Sequence, residues 1–263
     1  MIGRLPIAKM LAATIVLTVV ISVVMLPIRW NGSGASTAAP DIDLLLDVMI
    51  VLSALVFSLV MVMLFYALKK FRAKPGDESD GEPIHGNTRL EIAWTLIPTI
   101  IVLFGAGYSW VVLEEIEEPA ENPLTVQVFA QQFAWSFGYP GKDNAWSEGE
   151  LHVPEGRQVQ FKLHGLDVIH SFWVPEWRIK KDAVPGITTT ATVTPDKSGT
   201  YQLVCTELCG VGHSTMRATV VVEPAPKFRK WVAGLEQEVP EPFLQSITEK
   251  VEGTAAPDET GGA

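Results

Sequence analysis

Leu203-Val-Cys205-Thr-Glu207-Leu-Cys209-Gly-Val-Gly-His213-Ser-Thr-Met216 is the stretch on which the reading of this chain turns. It holds both cysteines of the 263-residue protein. Cys205, Cys209, His213 and Met216 are separated by three, three and two residues on one short loop. Gly210 and Gly212 allow a loop tight enough for the four side chains to converge. Thiolate, imidazole and thioether together favour copper over magnesium, calcium or manganese. A mononuclear copper loop of the Cys–His–Met kind uses one thiolate and borrows a second imidazole from elsewhere. Here there is one thiolate too many for that. Two thiolates four residues apart can bridge two metal ions, which points to a dinuclear copper centre. The distal imidazole is His170, in Asp167-Val-Ile-His170-Ser-Phe, thirty-five residues upstream.

The residues alone leave three other readings open. The two cysteines could form a disulfide if the domain lies outside the cytoplasm, though that leaves His213 and Met216 unexplained. Zinc is a second reading, for which methionine is a poor ligand. Met216 could also be simple core filling.

Working outward, Tyr201-Gln-Leu-Val204 leads into the loop and Ala218-Thr-Val-Val-Val222 leads out of it. Alternation of apolar and polar residues recurs in Leu124–Phe129, Gln158–Leu163 and Thr189–Thr194. Turns are marked by Tyr139-Pro-Gly141, Pro154-Glu-Gly156 and Asp196-Lys-Ser-Gly199. Many short strands at this spacing predict a Greek-key sandwich or barrel over residues 124–222. Residues 223–235 read as a short helix with Trp231 packed on the domain, and 236–263 as an acidic disordered tail.

Upstream, the pattern changes from strands to membrane spans. Leu44–Leu68 and Ile92–Leu113 are apolar runs long enough to cross a hydrocarbon core of about 30 Å at about 1.5 Å per residue. Between them, residues 69–91 form a loop that opens with Lys69-Lys-Phe-Arg72-Ala-Lys74, a basic edge that marks the cytoplasmic side. The acidic Glu114–Glu118 edge then puts everything after it outside. Residues 1–38 carry Arg4 and Lys9 followed by the apolar run Met10–Leu26, and read either as a signal peptide or as an additional N-terminal span. Ala35-Ser-Thr-Ala38-Ala39 offers small residues for cleavage, and residues 31–43 read as a flexible link. The fold class is therefore α+β: a transmembrane helical hairpin followed by a β-sandwich. A net charge of −10 makes nucleic acid an unsuitable partner. Between Glu114 and Arg217 there are fourteen acidic and eight basic residues, a surface that would steer a basic protein. His85, His152 and His164 read as structural or solvated histidines.

The loop resembles the dinuclear copper (CuA) site of subunit II of haem–copper cytochrome c oxidases. The resemblance extends in order through Glu91-Ile-Ala-Trp94-Thr-Leu-Ile-Pro98, Asp167-Val-Ile-His170-Ser-Phe-Trp173 and Lys180-Lys-Asp182-Ala-Val-Pro185-Gly186, and covers about Leu44 to Trp231. It implies a cupredoxin-like fold for the β domain and location in the cell membrane, with that domain on the extracytoplasmic side. It implies two copper ions bridged by Cys205 and Cys209, with His170 on one copper and His213 on the other. Met216 and the backbone carbonyl of Glu207 are implied as the weak ligands. The Glu207 carboxylate is implied to reach a magnesium ion shared with subunit I, Asp182 to lie near that interface, and Glu91 to stand at the entrance of a proton channel. The implied partners are oxidase subunit I and other oxidase subunits, cytochrome c and the lipid bilayer. Electrons would pass from cytochrome c to haem in subunit I, where oxygen is reduced to water with proton translocation.

One segment and one further position depart from the family. Gln132-Phe133-Ala-Trp135-Ser-Phe137 stands where the family has a Gln-Trp-Tyr-Trp-Ser-Tyr pattern, so the tryptophan at which electrons enter is Phe133 here, while Trp135 is retained. Ile187 replaces an arginine common after Pro-Gly. Alternatives from other classes are a copper delivery or storage protein and the subunit II of a quinol oxidase, which keeps the fold without copper.

Overall fold

The computed structural model describes residues 6–235 apart from positions 29, 74, 77–79, 81–82, 84 and 140–144. The tail 236–263, Arg4, Lys74 and the Pro-Gly of the turn at 140–141 therefore lie outside the described residues. The chain divides into a membrane unit, Met1–Trp30 with Asp41–Leu113, and a second unit, Asn31–Pro40 with Glu114–Ala263.

The membrane unit consists of α1 (Ile7–Met25), α2 (Ala39–Lys70) and α3 (Thr88–Glu117). All three are long and apolar enough to cross a membrane. Their apolar side chains face outward on all sides, as at Val102, Phe104 and Trp110. A helix that is hydrophobic all round and does not bury that surface in protein takes lipid as its solvent. α2 and α3 extend past the apolar runs 44–68 and 92–113 because polar ends continue the helices. At the start of α3, Asn87 Oδ1 accepts the Leu90 N–H (3.3 Å) and Glu91 Oε1 accepts the Asn87 N–H (2.9 Å), a reciprocal cap.

The second unit is a sandwich of two five-stranded sheets. Its strands are β1 (Leu124–Gln131), β2 (Ala134–Tyr139), β3 (Ala145–Glu148), β4 (Glu150–Pro154), β5 (Val159–Gly165), β6 (His170–Val174), β7 (Ile179–Ala183), β8 (Thr189–Val193), β9 (Gly199–Cys205) and β10 (Arg217–Glu223), followed by α4 (Ala225–Ala233). The first sheet runs β3-β2-β1-β5-β8 and the second β4-β10-β9-β6-β7. Pairing is antiparallel except for β1 with β5 and β10 with β4. The alternation seen in the sequence becomes alternating burial, clearest in β5, where Val159, Phe161 and Leu163 are fully buried between the sheets. They meet Trp135, Phe137, Phe172, Leu203 and Val220 in one core. This is the cupredoxin-like sandwich that the sequence predicts.

One expectation is corrected. Residues 31–43 are not a flexible link. Asn31–Pro40 lies along the sandwich as a strap, and α2 begins at Ala39. Ala35 donates to the Glu176 carbonyl (2.7 Å), Thr37 to the Thr194 carbonyl (3.0 Å), and Asp196 donates back to Ala35. The guanidinium of Arg178 donates to the carbonyls of Asn31 (2.7 Å) and Gly32 (3.1 Å). Ala35 and Ser36 are 1% exposed. The small side chains that suggest looseness in the sequence are what let this backbone approach the sheet edge.

His152 and His164 have structural settings. His152 stacks on Trp231 of α4 at 3.7 Å between centroids and pairs with Glu223 (2.9 Å). His164 stacks on Phe129 and meets Gln127 Oε1 (2.8 Å); burial, and then Lys162, lower its pKa.

Candidate metal centre

β9 ends at Cys205 and β10 starts at Arg217, so residues 206–216 form the connection between two antiparallel strands. Its neck is closed by the Cys205 N–H to the Met216 carbonyl (3.1 Å). β6 is the other neighbour of β9, with Phe172 opposite Cys205. That register places His170, the first residue of β6, beside the root of the loop. The Thr206 N–H bonds the Ser171 carbonyl (3.1 Å) and ties loop to strand. Gly210, at φ +135°, and a short 3-10 turn at His213–Thr215 bring His213 back over the cysteines.

The donor atoms converge. Cys205 Sγ lies 3.9 Å from His170 Nδ1, 3.4 Å from the Glu207 carbonyl oxygen and 4.0 Å from Cys209 Sγ. Cys209 Sγ lies 3.7 Å from His213 Nδ1 and 3.7 Å from Met216 Sδ. A disulfide needs sulfurs at about 2.05 Å, so these are free thiols. Two donors held at about 2.0–2.3 Å from one metal ion in tetrahedral geometry lie roughly 3.5–3.8 Å apart. The observed separations of 3.4–4.0 Å lie close to that range, as in a metal-ligand cluster, and the sulfur–nitrogen donor set suits copper. Cys205, Cys209, His170 and Met216 are all buried, and His213 is half-buried. The His170, Cys205 and Cys209 donor atoms all lie within 4.8 Å of one another.

Burial, and then the adjacent Cys205, push the Cys209 thiol up to about 11. A metal ion held here would deprotonate that thiol outright.

The ligands have supports. His170 Nε2 donates to Asp167 Oδ1 (2.8 Å), which fixes Nδ1 as the free donor toward Cys205. Burial works to raise the Asp167 pKa, but the bonds from His170 and from the Gln132 and Val168 backbones outweigh it and lower it. The edge of Trp135 packs on the His170 ring at 6.2 Å. Asp182 accepts from Ser171 Oγ (2.6 Å), next to His170; that bond chiefly, despite some burial, and then Lys180 lower its pKa.

Of the other residues singled out in the sequence, Phe133 packs against the loop: a Cβ on Gly212 would stand 2.5 Å from its ring. Trp135 is fully buried, so it faces the centre from inside the core rather than the surface. The Glu207 side chain is exposed. Glu91 caps α3 in the membrane unit. Sequence reasoning missed the supporting roles of Asp167 and Gln132. Asp167 had a signal, its position three residues before His170; Gln132 had only its place at the head of the aromatic segment, which says nothing of its contacts.

Two family descriptions match the chain: "Cytochrome C oxidase subunit II, transmembrane domain" over residues 31–112 and "Cytochrome C oxidase subunit II, periplasmic domain" over residues 146–224. A cytochrome c oxidase subunit 2 of Thermostichus vulcanus is 32% identical over 269 residues, covering 82% of this chain and 81% of that protein. The chain belongs to the cytochrome c oxidase subunit II family. Family relatives include a quinol oxidase subunit 2 of Bacillus cereus, 31% identical over 199 residues and covering 72% of this chain and 67% of that one. The solved periplasmic domain of a Bradyrhizobium japonicum cytochrome oxidase subunit II is 27% identical, covering 45% of this chain and 96% of that domain, with a TM-score of 0.43. By its family and its three membrane-length helices, the chain is a multi-pass membrane protein with an extracytoplasmic β domain, and it belongs to a subunit family of respiratory oxidases. Its β domain carries a buried His/Cys metal-ligand cluster.

Proposed function

We propose that this chain is the electron-accepting subunit of a cytochrome c oxidase, taking electrons from cytochrome c and delivering them to haem in subunit I. Cys205, Cys209, His170 and His213 would hold two copper ions, with Met216 Sδ and the Glu207 carbonyl as weaker ligands. When bound, the copper pair supplies a one-electron site whose charge is shared over two metals, so that bond lengths change little on reduction. The chain's own residues do the rest. The sandwich holds Cys205 and His170 on adjacent strands, and Asp167 keeps the proton of His170 on Nε2. Burial of Cys205, Cys209 and Met216 excludes water. The observation that carries this reading is the convergence of three side-chain donors, His170, His213 and Met216, and one carbonyl at 3.4–3.9 Å around two cysteine sulfurs that lie 4.0 Å apart.

The surroundings support partner docking. Val168, Ile169, Leu208 and Val211 are exposed around the centre, a patch of the kind that marks protein contacts. The excess of acidic residues on the domain suits a basic cytochrome c. We assign Phe133, at the surface of the loop, as the contact through which electrons enter, with Trp135 behind it. The exposed carboxylate of Glu207 would share a magnesium ion with subunit I. Glu91, on the first turn of α3, is assigned to the mouth of subunit I's proton channel.

The copper-free quinol oxidase alternative leaves the converging sulfurs without a purpose, and burial of the donors disfavours a copper delivery protein, which must release its metal. The test is metal loading of the full-length chain. Two coppers per chain and an EPR spectrum of one electron shared over both are expected, and Cys205→Ser should abolish that spectrum. Full loading at one copper per chain would overturn the assignment.

A further inference from the structure

The tip of the β1–β2 hairpin, Gln132-Phe133, touches both ligand-bearing segments. The Gln132 side-chain amide donates from Nε2 to the carbonyl of Cys209, in the loop that carries His213. The Gln132 backbone N–H donates to Asp167 Oδ2 (2.7 Å), and Asp167 Oδ1 in turn accepts from His170 Nε2 (2.8 Å) and from the Val168 N–H (2.7 Å). The next residue, Phe133, lies so close to Gly210 and Gly212 that a Cβ on either would stand 2.5–3.1 Å from its ring. The tip belongs to the first sheet, whereas His170 and Cys205 start and end strands of the second.

We propose that Gln132 is a positioning residue that clamps the two halves of the copper centre together, through Cys209 on one side and the Asp167–His170 pair on the other. The inference rests on the copper assignment above and deepens it. A bridging thiolate senses the orientation of its own backbone, and a carbonyl pinned by an amide cannot swing. Without that bond, the loop stays tied to the His170 strand only at its root, through Thr206 and Ser171 and the Cys205–Met216 neck, and the stretch carrying Cys209 and His213 is less firmly held, so that the two metal positions become unequal. Outer-sphere partners of metal ligands typically change metal affinity by about 10–100-fold when removed. Gln132 lies at the surface of the domain, so its loss leaves no buried cavity, and the fold should survive.

The experiment uses the full-length chain in detergent, wild type beside Gln132→Met, which keeps volume without a donor, and Gln132→Glu, which sets an oxygen against the Cys209 carbonyl. Circular dichroism of the copper-free proteins checks the fold. Chelator competition should show copper held about 10–100-fold more weakly in Gln132→Met, and more weakly again in Gln132→Glu. The EPR hyperfine pattern should change from an electron shared equally to one weighted toward one copper. Variants that match the wild type in both affinity and hyperfine pattern would overturn the clamp while leaving the dinuclear reading intact. A wild-type protein that never shows a shared electron would overturn the dinuclear reading itself, which is a separate result.

Discussion

The two histidines of the centre are held in opposite ways. His170 is fully buried on a strand, bonded by Asp167, edged by Trp135 and adjacent to the Ser171–Asp182 pair. His213 is half-buried on a 3-10 turn, between the exposed Val211 and the exposed Ser214 and Thr215. One side of the site is thus a piece of the sandwich core, and the other is a loop folded over it. The difference suggests a division of labour in which the core side fixes geometry before metal arrives and the loop side closes on the metal afterwards.

Alanine at each histidine should break the symmetry most visibly in the copper-free protein. His170→Ala removes a core ring and leaves Asp167 without its partner, and should lower unfolding free energy by about 2–4 kcal/mol in urea denaturation. His213→Ala should stay within about 0.5 kcal/mol of wild type, as surface changes do. Equal losses in both would sink the contrast. Next in size, Asp167→Asn keeps the shape but withdraws the charge that fixes the His170 tautomer. Copper affinity, read by chelator competition, should fall about 10-fold or more, while apo stability changes little. An affinity unchanged by Asp167→Asn would show that the core side needs no outer carboxylate.

The smallest effect concerns the sandwich that carries the core side. The His164 pKa is lowered from 6.5 by burial and by Lys162. The unfolded chain then binds the extra proton first as pH falls. Stability should therefore decline as pH drops through 6.5 toward the lowered folded value, and be restored above it. His164→Gln should flatten that limb of the pH profile, and an unaltered profile would show that His164 does not contribute to it.

The contrast also explains what could be read from the sequence. The loop ligands were legible because rare donor types crowd into one short segment. The strands were legible because Val159, Phe161 and Leu163 alternate with polar neighbours, and the spans because their apolar runs carry no charge but Asp47. His170 was identified through its motif, not through any local pattern that points at Cys205; its place there is set by the register of β6 against β9. Gln132 and the Asn31–Pro40 strap were illegible because their partners lie far along the chain, at Cys209, Glu176, Arg178 and Thr194. A glycine- and serine-rich segment says nothing about what it lies against.

That strap changes what trimming of the N-terminus would mean. Ala35-Ser-Thr-Ala38-Ala39 looks like a peptidase target in one dimension, yet in three it is already occupied: its amides and carbonyls complete the rim around Glu176 and Pro195. A cut after Ala38 would carry off the segment that satisfies Arg178 and covers the edge of Trp177's turn, leaving the mature domain with an open seam. Processing upstream of Asn31 would leave that seam sewn.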